Sequence, residues 1–449
     1  MRTRGPRGAH LWKSAAIAGA VMLLGVGGGL LARTSGAGAR DGLAFGSERR
    51  LGQASRNPSS PSLRVAPDGR LAAAWTEEDP DPAPRPAPSP DHQGHRGHGN
   101  WMFTFDMRVV LLASSADAGA TWSAPRKVNS VMEAAQGEEN EPKIAFAPDG
   151  RALIVWSTPS DKGDKSRANV RFALDDGRGR FTPSETLNEA RDTARFPTVQ
   201  TTPSGSFLVT WIDRRQDSPA ARAIYMARLD ARGRPAGRSY KVGDNACDCC
   251  RLGVAFADQG RTVYLAHREV TKDNIRNHVL LTSTDGGATF GPPVTISDDG
   301  WLTGCPHSGP TIAVDRLGRI HVTWFTQGRA ESEAGVYYAV SRDGGRSFAP
   351  RVLVHGNTAP EVLHTTLAAS DTGTVYLAWD NLDETKRSQV FVRSLAADGV
   401  TWSPVQQLSR ARENARRPAI ALSGGSLHVA WTETEGEKSS VVLRSASLK

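Results

Sequence analysis

Long apolar segments, cysteines and an excess of one charge are all scarce in this chain of 449 residues. Beyond residue 32 no stretch is apolar enough to span a bilayer, which excludes a protein with several membrane spans. Four cysteines are too few for a small disulfide-dense scaffold. The formal net charge is +8, but five basic residues without any acid fall within residues 1–39, so the remaining chain carries +3. Net charge therefore gives no indication of nucleic-acid binding.

The first 39 residues have the three-part layout of an export signal: a basic start, an apolar run over residues 15–32, and the small-residue site Ala37-Gly38-Ala39. The mature protein is predicted to begin near Arg40. The alternative is an uncleaved membrane anchor, since an apolar run of this length almost spans a bilayer. In both cases the working domain is predicted to lie outside the cytoplasm, in the periplasm or secreted.

One phrase recurs seven times and predicts a repeat architecture. It has a start residue, usually Pro, then an alternating apolar run, a Gly eight residues on, a second alternating run, and a Trp six residues after the Gly, as in PKIAFAPDGRALIVW from Pro142. The fourth copy has His267 in place of Trp. Period-two alternation around a glycine predicts a β-hairpin in each copy. The turn glycines are residues 69, 150, 205, 260, 318, 373 and 425.

Each unit continues with a third strand, such as GVYYAVS, and a fourth that has an aromatic residue and an aliphatic one six residues later, such as Trp122 and Val128. Four strands per unit and no helical periodicity predict an all-β fold, a seven-bladed β-propeller that occupies residues 43–449 as a single domain. The seventh unit lacks its fourth strand. Phe45 and Leu51 have the same spacing, so residues 43–53 are predicted to close the last blade.

A Pro- and His-rich insertion, residues 78–100, interrupts the first unit. Its three histidines are spaced at intervals of three residues. They are interpreted as part of a solvated loop or, alternatively, as a site for a divalent ion. The histidines are His92, His95 and His98.

Three turns between third and fourth strands read Ser-x-Asp-x-Gly-x-Thr/Ser-aromatic, with Asp117, Asp285 and Asp343 at the acidic position. The Asp can accept hydrogen bonds from the turn backbone, and the Gly supplies a positive φ, so we interpret these acids as structural. The pattern resembles the Asp-box (BNR) repeat of sialidase-like β-propellers, and the resemblance implies that these turns face away from the active site. The phrases CDCCRLGVAF and DDGWLTGCPHSGPTIAVD look like those of an exported bacterial branch of that family.

Arg195-Phe196-Pro197, followed downstream by Asp213, resembles the Arg-x-Pro motif of sialidases. The resemblance implies that Arg195 binds a substrate carboxylate and that Asp213 is an acid/base residue. Arg268 and Arg416 would complete the carboxylate clamp, and Tyr337 is the candidate nucleophile. The chain departs from sialidases in two respects, since their ring has six blades and no Glu can be assigned to polarise Tyr337.

The strand directions of a blade bring the segments before each first strand to one rim of the propeller. This rim is predicted to hold Glu141, Arg251 and all four cysteines. The cysteines favour a structural disulfide in an oxidising compartment, and the alternative is a soft-metal site for copper or zinc that includes a histidine. The residues concerned are Cys247, Cys249, Cys250, Cys305 and His307.

The predicted function is therefore binding of an acidic glycan or a metal ion at the rim of the channel of an exported propeller. The expected contacts are Arg195, Arg251, Arg268, Arg416 and the cysteine and histidine group. The alternatives are an exo-acting glycoside hydrolase of sialidase type and a platform for protein partners.

Overall fold

The alternating repeats form strands, and strands make up almost all of the regular structure. The computed structural model describes residues 42–78, 108–129, 134, 140–160, 168–215, 222–301, 308–356 and 364–448. Within these ranges there is no α-helix, and the helical turns are the short 3₁₀ segments Ala54–Arg56, Asp258–Gly260 and Glu331–Glu333. The all-β prediction is thus confirmed. No helix in this part of the chain is long and apolar enough to cross a membrane.

Two sequence predictions concern segments that the structure does not describe. The export signal predicted for residues 1–39 lies outside the described residues. The insertion from residue 79 onward, with the histidines at 92, 95 and 98, also lies outside them.

Most strands pair in chain order into antiparallel sheets of four. The strand β1 (Arg49–Leu51) precedes them and joins the last sheet. One sheet contains β2 (Ser59–Val65), β3 (Leu71–Glu78), β4 (Arg108–Ser115) and β5 (Arg126–Lys127). The next contains β6 (Lys143–Phe146), β7 (Ala152–Pro159), β8 (Ala168–Leu174) and β9 (Glu185–Thr186).

One sheet has eight strands, in two runs of four. The first run is β10 (Ala194–Thr201), β11 (Phe207–Asp213), β12 (Arg222–Leu229) and β13 (Tyr240–Ala246). The second run is β14 (Gly253–Ala257), β15 (Thr262–Val270), β16 (Arg276–Ser283) and β17 (Val294–Trp301). The runs are joined where Ala246 of β13 pairs with Glu269 of β15.

The remaining sheets again have four strands each. One contains β18 (Thr311–Val314), β19 (Ile320–Thr326), β20 (Gly335–Ser341) and β21 (Val352–Gly356). Another contains β22 (Thr365–Ala369), β23 (Val375–Leu382), β24 (Ser388–Leu395) and β25 (Gln406–Gln407). The last contains β26 (Asn414–Ser423), β27 (Ser426–Glu435) and β28 (Lys438–Ser447), with β1 as its outer strand.

The pairing of β1 with β28 lies where the spacing of Phe45 and Leu51 predicts it. Leu51 pairs with Val441, and Phe45 forms an isolated bridge with Ala446. The backbone N–H of Gly46 also donates to the carbonyl oxygen of Ser445 (2.8 Å). A segment from the start of the described chain therefore covers the edge of the last sheet.

The hydrophobic core lies between the faces of neighbouring sheets. Six of the seven hairpins place a tryptophan in their second strand, and each of these side chains is at most 1% exposed. The members are Trp75, Trp156, Trp211, Trp324, Trp379 and Trp431. The sheet of β26 to β28 packs against the sheet of β2 to β5: Leu443 shares a buried cluster with Leu71, and Val441 shares one with Trp75. The first sheet is therefore covered by the last.

The first strands of successive units lie next to one another. β2 contacts β6, β6 contacts β10, and contacts continue through β14, β18 and β22 to β26, which contacts β2 again. These strands surround a central cavity. The four-stranded sheets around it are consistent with a β-propeller.

Candidate functional site

The central cavity, called the channel cavity below, is bounded by the first strands and by the residues just before them. Its volume is about 220 Å³. The described lining residues are Ser157 and members of the ranges 60–64, 140–144, 196–200, 251–254, 308–312, 364–366 and 417–420. Residues distant in sequence thus share one wall, as expected where several first strands begin around an axis.

Basic side chains outnumber acidic ones among the described residues of this wall. Arg64, Lys143, Arg251 and Arg417 line the cavity together with one carboxylate, Glu141. The Glu141 side chain accepts a hydrogen bond from Lys143 Nζ, and its Oε2 lies 2.5 Å from a terminal guanidinium nitrogen of Arg251. Glu141 therefore lies between two cations in a wall that carries excess positive charge.

Burial and neighbouring charges act in opposite directions on these groups. Burial raises the pKa of Glu141, but the charges of Arg251, Lys143 and Arg417 outweigh it and hold the pKa below its usual value. Burial lowers the pKa of Lys143, and the carboxylate of Glu141 opposes that effect. The carboxyl group is thus ionised at neutral pH.

Backbone bulges determine which side chains reach the cavity. Ser60, Phe196 and Arg417 each precede a proline and have positive φ values of 56°, 51° and 58°. At all three places the pairing with the second strand shifts register. Because proline has no N–H for the ladder, a bulge is tolerated there and turns the preceding residue toward another face. Phe196 and Arg417 line the cavity as a result.

A buried carboxylate fixes two further parts of the wall. Asp380, which is 1% exposed, accepts hydrogen bonds from the backbone N–H groups of His364 (2.7 Å) and Arg417 (2.8 Å). Its carboxylate also contacts the Nδ1 atom of the His364 ring at 2.9 Å. Burial raises the pKa of Asp380, but His364 and these N–H groups outweigh it and lower the value overall. Asp380 thus positions His364 and Arg417 relative to one another.

Asp213 lies at the end of β11 with no exposed surface. It accepts a hydrogen bond from Trp211 Nε1 (2.8 Å) and binds the guanidinium of Arg215 through both oxygens (2.9 and 2.8 Å). Glu77 and Glu433 accept from Trp75 and Trp431 in the same way (2.9 and 3.1 Å). Asp213 therefore makes the same hydrogen bond to a second-strand tryptophan that acids make in two other units. Its acid/base role stays a prediction.

Tyr337 lies in β20, and its hydroxyl donates to the backbone carbonyl of Glu333 (2.8 Å). Its ring stacks on Trp324, with centroids 6.3 Å apart, and the guanidinium carbon of Arg351 lies 4.4 Å from its centroid. Burial raises the pKa of Tyr337. Neither Tyr337 nor Asp213 is among the described residues that line the cavity. The nucleophile role also stays a prediction.

The predicted arginine contacts are placed in different surroundings. Arg251 lines the cavity. Arg268 is 1% exposed, donates to the backbone carbonyl of Phe325, and lies 4.9 Å from the ring centroid of Trp301. Arg195 and Arg416 are half-buried, and the cavity is lined by the residues that follow them, Phe196 and Arg417. The described structure thus brings Arg251 and Glu141 together and leaves the other three outside the wall.

Three of the four cysteines form a buried group between β13 and β14. Cys247 and Cys250 are thiols, and Cys249 is disulfide-bonded. Their sulfur atoms lie within 4.8 Å of one another, a spacing that suits soft-metal ligands, but a disulfide sulfur offers no thiolate. Cys305 and His307 lie outside the described residues. The copper or zinc site stays a prediction.

The aspartates of the Ser-x-Asp turns are used within those turns. Asp117 accepts from the hydroxyl and the backbone N–H of Thr121 (2.6 and 2.8 Å) and from the hydroxyl of Ser115 (2.8 Å). These hydrogen bonds lower its pKa to about 2. Asp285 and Asp343 have the same set of bonds. The turns lie at the opposite ends of the strands from the residues that begin each first strand at the cavity.

Sequence reasoning did not assign a role to Lys143, Arg64 or the pair of His364 and Asp380. Lys143 follows the predicted Glu141 by two residues and stays on the same face of an extended segment, a signal that was available. The sequence does not indicate whether Arg416 or Arg417 lines the cavity, because that depends on the bulge at Pro418.

No protein-family model and no curated protein matches the chain. Solved structures do share its fold. The polysaccharide lyase Uly1 aligns with a TM-score of 0.54 at 11% identity, over 89% of this chain and 92% of that one. A protein of unknown function from Dyadobacter fermentans DSM 18053 aligns with a TM-score of 0.52 at 14% identity, over 90% and 99%. At such identities the likeness establishes the fold alone.

Proposed function

We propose that the chain binds an acidic saccharide in the channel cavity. The observation that carries this proposal is a cavity wall that holds four basic side chains and a single carboxylate among the described residues. The basic residues are Arg64, Lys143, Arg251 and Arg417, and the carboxylate is Glu141. A guanidinium group binds a carboxylate through two parallel hydrogen bonds, and partial burial strengthens such bonds. Uly1, which shares the fold, is a polysaccharide lyase, and this fits a saccharide as the class of ligand.

We infer a ring of seven blades, with the eight-stranded sheet counted as two. Its two runs are joined by one residue pair, and each run begins with a first strand that borders the cavity. The cyclic contacts from β2 through β26 and back to β2 support this count. Likewise, we propose that the mature domain begins near residue 40 after export, so that the ligand is met outside the cytoplasm.

Binding is tested by calorimetry with a uronate oligosaccharide and with sialyllactose, against neutral oligosaccharides of the same length. Arg417→Ala and Arg251→Ala are each expected to weaken binding of the acidic probes about 10- to 100-fold, because a charge-assisted hydrogen bond contributes roughly 1.5–3 kcal/mol. Arg232→Ala, in an exposed turn, is the matched control. Equal affinity for acidic and neutral probes, or no effect of either cavity variant, would refute the proposal.

Glu141→Gln is expected to change the affinity for the acidic probe in the opposite direction. The amide keeps the shape of the side chain but no longer competes with the ligand carboxylate for Arg251 and Lys143. Affinity for the acidic probe is expected to rise several-fold, while the melting temperature of the ligand-free protein falls, because the buried cations lose their counter-charge. Calorimetry and thermal unfolding measure the two effects, and weaker binding with Gln would contradict the model of a competing carboxylate.

The hydrolase of sialidase type and the protein platform are the alternative hypotheses. Turnover of a fluorogenic sialoside that is lost in Asp213→Asn would favour the hydrolase. Binding of a protein partner that cavity variants leave intact would favour the platform.

A further inference from the structure

Arg64 differs in its surroundings from the other cations of the channel cavity and lies near the end of β2. Its guanidinium Nη2 donates to the side-chain oxygen of Gln200 (2.6 Å), and the amide nitrogen of Gln200 donates to the backbone carbonyl of Val254 (3.1 Å). Arg64 is the last cavity-lining residue of β2, and Gln200 is the last of β10. Because both strands begin at the rim, these two side chains mark the deep end of the cavity, called the cavity floor below.

The repeat does not require a long polar side chain at the cavity floor. Arg64 and Gln200 each occupy the fourth position of the recurring phrase, three residues after its proline. The five other copies have alanine at this position, such as Ala145 of β6, which is completely buried. Since β6 lies between β2 and β10 in the ring of first strands, the hydrogen bond from Arg64 to Gln200 passes over this alanine. The cavity floor is therefore an addition to the scaffold of the repeat.

Arg64 is a half-buried cation without a counter-charge in the described structure. It forms no ion pair with a described carboxylate, and its Nε and Nη1 atoms have no hydrogen-bond partner among the described residues. Burial lowers the pKa of Arg64, and no acid in the described part of the chain offsets this effect. Lys143 and Arg251, by contrast, are both bound to Glu141. Removing a cation from water is unfavourable unless an anion compensates, so an acidic group of a ligand would stabilise Arg64.

We propose that the cavity floor is an anion-binding subsite separate from the cations around Glu141, and that the preferred ligand carries two acidic groups. One group accepts hydrogen bonds from Arg64, whose guanidinium is held in place by Gln200, and the other group binds nearer the rim. Both subsites border one cavity of about 220 Å³, which suits acidic groups on adjacent sugar units. This inference rests on the proposed binding of an acidic saccharide, and it narrows the class to oligosaccharides with successive acidic units, such as uronates.

Digalacturonate and its methyl esters test the second subsite, because they have the same chain length and differ in the number of acidic groups. Calorimetry at constant ionic strength compares the diacid, a monomethyl ester and the dimethyl ester. The wild type is expected to bind the diacid about 10- to 100-fold more tightly than the monomethyl ester, because the diacid makes one more charge-assisted contact. Arg64→Met keeps most of the side-chain length and removes the charge. This variant should bind the diacid and the monomethyl ester within about twofold of one another.

Thermal unfolding of the ligand-free protein separates this role from a structural one. If Arg64 were needed by the scaffold, Arg64→Met would lower the melting temperature and weaken binding of all three probes alike. Because the wild-type cation lacks a counter-charge among the described residues, the melting temperature is expected to stay the same or to rise. Gln200→Ala keeps the cation but releases it, and should lower the affinity for the diacid only several-fold. Arg70→Ala, in the exposed turn between β2 and β3, is the matched control.

The outcomes distinguish this inference from the proposed function. Equal affinity of the wild type for the diacid and the monomethyl ester would overturn the inference, and so would a preference for the diacid that Arg64→Met retains. A parallel loss for all three probes together with a lower melting temperature would also overturn it. In each of these cases the proposed function stands as long as the wild type binds the monomethyl ester more tightly than the dimethyl ester. Equal affinity of the wild type for all three probes would instead refute the proposed function.

Discussion

At the scale of single residues, a histidine occupies the place that tryptophan fills in the other hairpins. His267 in β15 is 2% exposed, and among the described residues its Nδ1 atom has no hydrogen-bond partner. Burial lowers its pKa to about 4, and a proton on the neighbouring His278 ring acts in the same direction. Burial together with the charge of Arg268 also lowers the pKa of His278 to about 4, although Asp299 opposes this. Both rings are therefore neutral in the folded protein at neutral pH.

This gives a prediction for stability against pH. The unfolded chain takes up a proton on His267 near pH 6.5, and the folded chain does so only near pH 4, so the unfolded state binds more protons between these values. The free energy of unfolding should then fall as pH decreases from about 6.5 to 4, by at most roughly 3 kcal/mol for this residue. His267→Phe should flatten that dependence. Denaturant titrations at pH 7, 6 and 5 compare the two proteins, and parallel curves would contradict the assignment.

At the scale of elements, the three Ser-x-Asp turns pack against strands of a neighbouring unit. The turn glycine Gly345 has a φ of 85°, and an ideal Cβ there would lie 2.7 Å from Leu280 Cδ2 in β16. Gly287 faces Met226 of β12, and Gly119 faces Leu443 of β28, in the same manner. The turn therefore combines a left-handed backbone with close packing against a neighbouring unit.

Alanine substitutions at two glycines separate the cost of the left-handed backbone from the cost of close packing. Gly345→Ala adds backbone strain of about 1 kcal/mol and an overpacking cost of about 1–3 kcal/mol. Gly318→Ala, in the hairpin turn of the same sheet, has a φ of 72° but no atom within 4 Å of the new Cβ, so only the strain is expected. Chemical denaturation measures both losses. Equal losses would mean that the turn does not pack against its neighbour as described.

The hairpins and Ser-x-Asp turns could be predicted because their signals are local. All seven hairpin glycines have positive φ, from 69° at Gly425 to 86° at Gly373, as the repeat requires. The ends of the fourth strands are harder to predict from the sequence. The strand β5 is only the pair Arg126–Lys127, although the pattern runs from Trp122 to Val128. In this outer strand only part of the alternating pattern pairs with the neighbouring strand. The sequence pattern is therefore longer than the paired segment.

The channel cavity could be predicted only in part. Glu141 and Arg251 follow from their positions before the first strands, and the structure places both on its wall. The choice of Arg417 over Arg416 depends on a bulge of one residue, which changes the face that a side chain takes. The thiol contact of Cys247 with Cys249 depends on the loop conformation, and cysteine spacing alone left several pairings open.

At the scale of the whole molecule, stability is expected to depend on the pairing of β1 with β28. A chain that begins at residue 54 lacks β1, leaves Val441 to Leu443 at a sheet edge, and uncovers part of Trp75. We expect a lower melting temperature and self-association that increases with protein concentration. Calorimetry and light scattering should compare it with a chain that begins at residue 42. An unchanged melting temperature and a monomeric truncated protein would contradict a closing role for β1.

The bridge between Phe45 and Ala446 has a consequence for how the chain can be rearranged. Because the two described ends meet within one sheet, a short connection between them would leave all strand pairs in place, and the polypeptide could then be cut in an exposed turn such as the one at Arg232. The order of the sheets is in this sense cyclic, and circular permutants that begin with different repeats would be expected to share one native state.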